Sequence, residues 1–268
     1  MGKVKTMVEI VSLSMLLGAM SGVIAGLFGL GGGLVIVPVL VWIFNARHFS
    51  SEFVMIMAVA TSLATIIPTA IATVSSHQRR GAVKWPRVLR LVPGILLGAA
   101  LGALCADQLS GTILRNFFIV YLLFVGTNMA LQRKPVLNLG RQGSWLDYLA
   151  GLIIGALSSL LGIGGGTIMV PYLLGQRLEM KYAVAVSSAC GMPIAVAGTI
   201  SYALLGWGNA GLPDGSVGYI YIPAFAGIVA LSVLTAPVGV RLAHKLPAQK
   251  LKRYFSVVLF IMAVKMMV

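Results

Sequence analysis

Eight apolar runs cover most of the chain, at about 7 to 44, 53 to 76, 88 to 106, 113 to 131, 145 to 175, 182 to 205, 219 to 240 and 254 to 268. A helix needs about 20 apolar residues to cross a bilayer, so this pattern predicts a bundle of membrane helices. The first and fifth runs are longer than one crossing, and each is interrupted by three consecutive glycines. Each therefore predicts two helical pieces joined at the glycines. The downstream pieces, Gly33 to Phe44 and Gly166 to Leu174, have length for only about half the hydrocarbon at about 1.5 Å per residue. A hairpin with its tip near mid-membrane fits those lengths.

The two breaks are copies of one phrase. The first reads Gly22-Val-Ile-Ala-Gly26-Leu-Phe-Gly29-Leu-Gly31-Gly32-Gly33-Leu-Val-Ile-Val-Pro38; 133 residues later stands Gly155-Ala-Leu-Ser-Ser159-Leu-Leu-Gly162-Ile-Gly164-Gly165-Gly166-Thr-Ile-Met-Val-Pro171. The likeness continues: Ala58 to Pro68 answers Ala183 to Pro193, Gly81 and Pro86 answer Gly218 and Pro223, and Gly102 to Phe118 answers Gly239 to Phe255. Residues 1–138 and 143–268 therefore read as two copies of one fold, with the basic segment Arg133 to Arg141 as linker.

Composition narrows the class. With 59% hydrophobic residues, 10% charged residues and a mean hydropathy of +0.97, the chain lies far outside the soluble range. The expected fold is an all-α polytopic membrane protein of about 8 to 10 membrane segments, each half holding one glycine-broken run and about three spanning helices. The first run is too long, and too free of a small-residue cleavage site, for a removable signal peptide, so the mature chain is expected to start near Met1. Cys105 and Cys190 lack the spacing of a metal or redox motif and are expected to be small buried packing residues.

Charge sets orientation. Twenty Lys and Arg against six Asp and Glu give a net charge of +14, but the bases sit in short loops such as Arg79 to Arg87 rather than in a stripe, which excludes a nucleic-acid partner. If each glycine-broken run returns to the side it left, the halves are inverted, and the loops at 77 to 90, 133 to 143, 177 to 181 and 241 to 253 share one face with 15 of the 20 bases. If each run changes sides, the bases divide almost evenly. The excess of bases in cytoplasmic loops favours inversion, with Lys3, Lys5 and Arg47 on the other side. Charge decides parity alone, and leaves a hairpin and two short crossings both open.

The candidate chemistry lies in the breaks and in the helices that follow them. Breaking an apolar helix frees backbone groups that lipid cannot satisfy, so such a break persists only inside protein or along a cavity, and matched breaks in two halves point to a transport site. A half-helix starting at Gly32-Gly33 or Gly165-Gly166 offers unpaired N–H groups and a positive dipole end, and glycine lets a ligand approach that backbone. The candidate anion-binding residues are Gly29, Gly31, Gly32, Gly33, Gly162, Gly164, Gly165, Gly166 and Thr167, with the hydroxyls Thr61, Ser62, Thr65, Ser187 and Ser188. The acids Glu9, Glu52, Asp107, Asp147, Glu179 and Asp214 stand near the ends of apolar runs, and His48, His77, His244 and Lys265 are terminal or in loops. No catalytic dyad, triad or metal cluster is expected, and no cofactor.

Paired Gly-x-Gly-Gly-Gly motifs, each followed by a proline, in two repeated halves of a small basic membrane protein resemble the TauE/SafE family of sulfite exporters, also called TSUP permeases. The resemblance covers essentially the whole chain. It implies a permease for small sulfur-containing or organic anions such as sulfite, thiosulfate or sulfonates in the bacterial inner membrane, with Gly29 to Gly33 and Gly162 to Gly166 as its glycine-rich segments. The partners expected are a small anion and the lipid bilayer; the coupling ion and oligomeric state stay open. A permease for a non-sulfur carboxylate, or a membrane scaffold whose glycines serve helix packing alone, are the alternatives.

Overall fold

The computed structural model describes residues 2–28, 32–131, 144–243 and 248–267. Helices α1 (Gly2–Phe28), α2 (Gly33–Ala46), α3 (Ser51–Gln78), α4 (Trp85–Gln108) and α5 (Gly111–Ala130) are followed by α6 (Ser144–Leu161), α7 (Gly166–Gly175), α8 (Met180–Leu205), α9 (Ile222–Ala243) and α10 (Ala248–Met267). Six of the described helices, α1, α3, α4, α5, α8 and α9, carry apolar stretches long enough to cross a membrane. The chain is an all-α polytopic membrane protein. Helices α2 and α7, with 14 and 10 residues, are too short to cross at about 1.5 Å per residue. Gly29, Gly31, His244 and the linker with its expected boundaries at 138 and 143 lie outside the described residues.

Side-chain contacts show that each glycine-broken run returns to the end of the bundle where it began. Arg47, just past α2, donates to Glu9 of α1 at 2.6 Å. Gln176, just past α7, donates to Asp147 in the first turn of α6 at 2.9 Å. Arg87 in α4 bonds to both Asp147 and Gln176, and Arg80 donates to the carbonyl of Val240 near the end of α9. The starts of α4 and α6 and the ends of α3, α7 and α9 therefore gather at one end, here the basic end. At the far end, the start of α1 meets the end of α2, and the loop 206–221 meets Asp107 at the end of α4, Phe53 at the start of α3 and Phe44 near the end of α2.

That loop contains a short hairpin, β1 (Ser216–Val217) paired with β2 (Ile220–Tyr221), which takes up the first residues of the apolar run expected at 219 to 240. Gly218 turns it with φ +54, and Gly81, its counterpart in the sequence repeat, has φ +63. Tyr219 donates to Asp107 Oδ1 at 2.8 Å. Burial, and then this bond, push its phenol up to about 12, so it stays a donor at neutral pH.

Two long helix pairs form the frame, and small residues make them close. Gly18, Gly22 and Gly26 of α1 lie directly on the backbone of Ile228, Ser232 and Ala236 of α9, and Gly94, Gly98 and Gly102 of α4 on Tyr148, Leu152 and Ala156 of α6. Both numbers climb together, so the partners in each pair run in the same direction. Such contact is how helices associate where lipid supplies no hydrophobic drive. Helices α3 and α8 cross the centre in opposite directions, Leu63 meeting Gly198 while Ile66 to Thr73 face Ser188 and Gly191. Their apolar stretches are 83% and 67% buried against 33% for α5, which makes them the interior of the bundle. Leu16, Leu89, Val120, Phe124, Leu204 and Leu234 point outward toward the region lipid would fill.

Two expectations are corrected. Cys190 is buried, but Cys105 is exposed on α4, facing outward like its neighbour Leu104. His77 lies in the last turn of α3 rather than in a loop, and is 2% exposed, because the helix runs on past Thr73 into the packed basic end.

Candidate functional site

The glycine tips are built from conformations that side chains resist. Gly32 caps α2 with φ +78 and Gly165 caps α7 with φ +73; Gly162 has φ +69. A residue with a Cβ would lose about 1–2 kcal/mol in this left-handed region. Ile36 N donates to Gly32 O at 3.2 Å and Met169 N to Gly165 O at 2.8 Å, so each short helix starts at the third glycine with its first amides free of intrahelical partners.

The two tips touch. Gly33 sits on the carbonyl oxygen of Gly162 so closely that a Cβ there would stand 2.2 Å from it. Ser62 of α3 donates to the same oxygen at 2.8 Å. From the other side, Gly191 of α8 lies against Gly164 O. The second tip is thus clasped between α3 and α8. Ser62→Ala is expected to leave a buried carbonyl without its hydroxyl donor and to cost about 1–3 kcal/mol, read as a lowered melting temperature of the detergent-solubilised protein.

Beside this clasp lies a recess lined by Ala25, Ile66, Thr69, Ala70, Thr73, Gly164, Ser188 and Gly191, with room for about one water molecule. None of its lining residues is charged. An oxyanion would fit only after the helices part.

The predicted residues divide between these places. Gly164 and Ser188 line the recess, while Gly33, Ser62 and Gly162 form the clasp. Gly32 packs on Ser21, and Gly165 lies between Ile194 and Ser158, with Gly166 buried behind it. Thr61 turns to the far end, where its Oγ1 accepts from Tyr221 N at 3.0 Å and so ties the hairpin to α3. Thr65 and Ser188 donate to the carbonyls of Ser62 and Val184, the back-bond that Ser and Thr commonly make in helices. Thr167 pairs with the hydroxyl of Tyr121 in α5. Ser187 is fully buried in α8.

Thr69, Thr73, Ser158 and Ser159 add to the predicted set. Thr61, Thr65, Thr69 and Thr73 recur every four residues, which places them on one helical face, and the last two reach the recess. Thr69 donates to Thr65 O at 2.8 Å and shares a bond with Ser232 of α9 at 3.1 Å. Ser158 and Ser159, in the turn before the second tip, are buried with hydroxyls that have no hydrogen-bond partner among the described residues. Ser158 Oγ lies 3.2 Å from where a Cβ on Gly165 would sit. No group of three metal-ligating side chains occurs among the described residues.

Six apolar spans around two short glycine-started helices make a multi-pass membrane protein, and the proteins it resembles make it a transporter. Residues 14–266 match the family described as sulfite exporter TauE/SafE, and the chain belongs to that family. It is 36% identical, over 97% of its length and 99% of the relative's, to a probable membrane transporter protein of Haemophilus influenzae. A probable membrane transporter protein of Methanocaldococcus jannaschii is 26% identical over 95% of this chain and 94% of its own. No solved structure matches the chain. Family and relatives are transporters by name, not enzymes.

Proposed function

We propose that the protein is a secondary transporter of small sulfur-containing or organic anions, such as sulfite, thiosulfate or sulfonates, working by alternating access in a bacterial inner membrane. The observation that carries the reading is the contact of two left-handed glycine tips, Gly32-Gly33 and Gly162 to Gly166, beside a recess on the interior helices α3 and α8. Amide groups at the start of α7, the buried hydroxyls of Ser158 and Ser188, and Thr69 and Thr73 would hold the anion without a buried cation. Hydrogen bonds to a charged group contribute about 1.5–3 kcal/mol each, so three or four suffice for a transported ligand.

The halves 1–138 and 143–268 act as inverted repeats in this proposal. What supports inversion is reciprocity: α1 pairs with α9 as α6 pairs with α4, and α3 crosses its counterpart α8 in the opposite sense. Opening would be a rocking of the α1–α9 and α4–α6 pairs about the α3–α8 crossing. The basic end is then cytoplasmic, since Arg79, Arg80, Lys84, Arg87, Arg90 and Arg177 lie there. Cysteines introduced near Arg80 and Arg177 are expected to react with an impermeant reagent from the cytoplasmic side, and one near Asn209 from the outside. Labelling of Arg80 and Arg177 from opposite faces would sink the inversion.

Transport itself is tested with purified protein in liposomes. Uptake of labelled thiosulfate or sulfite under an imposed gradient, competed by a panel of sulfonates and carboxylates, is the expected result; competition by carboxylates alone would make it a carboxylate permease. No movement of any of these anions would discard the reading.

A further inference from the structure

At the base of the α6–α7 hairpin, away from the recess, lies a second polar cluster. Asp147 is 1% exposed and accepts from Tyr172 Oη at 2.8 Å and from Gln176 Nε2 at 2.9 Å. Arg87, in the first turn of α4, reaches the same carboxylate only at 3.4 Å, through Nη1, and the same nitrogen donates to Gln176 Oε1 at 3.0 Å. Both hydrogen bonds of Arg87 to the protein thus leave from one nitrogen. The Nε–Nη2 edge is engaged by no described residue, and the side chain keeps 20% of its exposure.

This is an unusual division of a buried charge. Two neutral donors at closer range satisfy Oδ1, and among the described residues Oδ2 takes Arg87 alone at 3.4 Å, so the carboxylate anchors the guanidinium through one nitrogen without saturating it. An arginine edge with two parallel N–H groups matches the paired oxygens of an oxyanion. The surrounding segment 79–90 carries Arg79, Arg80, Lys84, Arg87 and Arg90 and no acid, which concentrates anions at this end. Tyr172 lies near the end of α7 and Gln176 just past it, and the ten residues of this helix, about 15 Å, lead to the Gly164–Gly165 tip.

We propose that the Nε–Nη2 edge of Arg87 is a docking subsite for the anion on the basic face, with Asp147 as the fixed counter-charge that aims the guanidinium and keeps capture weak enough for release toward the recess. This rests on the anion-transport reading above. An alternative in which the four residues merely bolt α4 to the α6–α7 hairpin predicts that any break in the cluster harms the protein in the same way.

Thiosulfate uptake into proteoliposomes, with KM and kcat measured separately from each face, distinguishes them. Arg87→Gln is expected to raise KM at the basic face by roughly tenfold to a hundredfold, with little change in kcat and none in KM at the far face. Asp147→Asn, which removes the competing charge, is expected to lower KM at the basic face. If Arg87→Gln folds poorly, Arg87→Lys keeps the charge but loses the fork, and its basic-face KM is expected to rise several-fold. The proposal is overturned if the arginine variants leave the basic-face KM unchanged, or if arginine and aspartate variants shift both faces alike. Absence of any uptake by the unmodified protein would overturn the transport reading and this subsite with it, whereas normal uptake with an indifferent Arg87 would overturn the subsite alone.

Discussion

Gly98→Leu is expected to prevent the protein from accumulating in folded form. A Cβ at this position would stand 2.0 Å from the carbonyl oxygen of Leu152 and 2.8 Å from its carbonyl carbon. Backbone meets backbone here, so no side chain can swing away. Relief requires α4 and α6 to separate, which also lifts Gly94 and Gly102 from Tyr148 and Ala156. The loss should exceed the roughly 1–3 kcal/mol of ordinary overpacking, because a whole row of close contacts opens at once. The equivalent change in the other frame pair, Gly22→Leu, drives a Cβ to 2.4 Å from Ser232 O and should do the same. Gly126→Ala is the control: its nearest neighbours are the Phe260 and Leu259 side chains, at 3.4 and 3.6 Å, and it should be tolerated. The measurement is the monodisperse fraction after detergent extraction, with the melting temperature of whatever survives. Normal yield of both leucine variants would show that the close pairs are not the frame.

Gly165→Val is expected to give a folded protein that transports almost nothing. The left-handed φ of +73 costs a side chain about 1–2 kcal/mol, and a Cβ would come within 2.7 Å of Ile194 Cδ1. That atom is the end of a flexible chain and can give way, so the stability loss should stay at a few kcal/mol. The added methyls would instead cover the first amides of α7 and the hydroxyl of Ser158. Uptake should fall by more than about a hundredfold, the equivalent of about 2.8 kcal/mol or two charged hydrogen bonds. Pairing the substitution with Ile194→Val relieves the clash. If uptake returns with it, the glycine matters for packing rather than for contact with the anion; if uptake stays lost, the amides free of intrahelical partners are what the tip is for.

Much of this architecture was legible because the bilayer permits so few structures. Apolar runs longer than one crossing, broken by Gly31 to Gly33 and Gly164 to Gly166, could only be two helical pieces, and the pieces are α1 with α2 and α6 with α7. The return of each run to its starting end was implied by 15 basic residues that favoured one face, and it emerges in the contacts Arg47–Glu9 and Gln176–Asp147. The candidate site was legible in its chemistry but not in its grouping. The hydroxyls of the two central helices were expected to act alike, yet Ser62 donates across to Gly162 O while Ser188 back-bonds to Val184 in its own helix. A hydroxyl's partner depends on which carbonyl the neighbouring helix brings within 3 Å, and no pattern along one helix encodes that.

Taken alone, the sequence determined the class and the helical runs with their breaks, because hydropathy and crossing length are local or additive properties. Only the tertiary structure decided that Gly33 rests on Gly162, that Thr69 and Thr73 reach the recess while Thr61 holds the hairpin, and that Arg87, Asp147 and Gln176, from three helices, share one cluster. These are contacts between residues 29 to 160 positions apart, set by how close two backbones can come, and that distance is fixed by small residues on both partners at once.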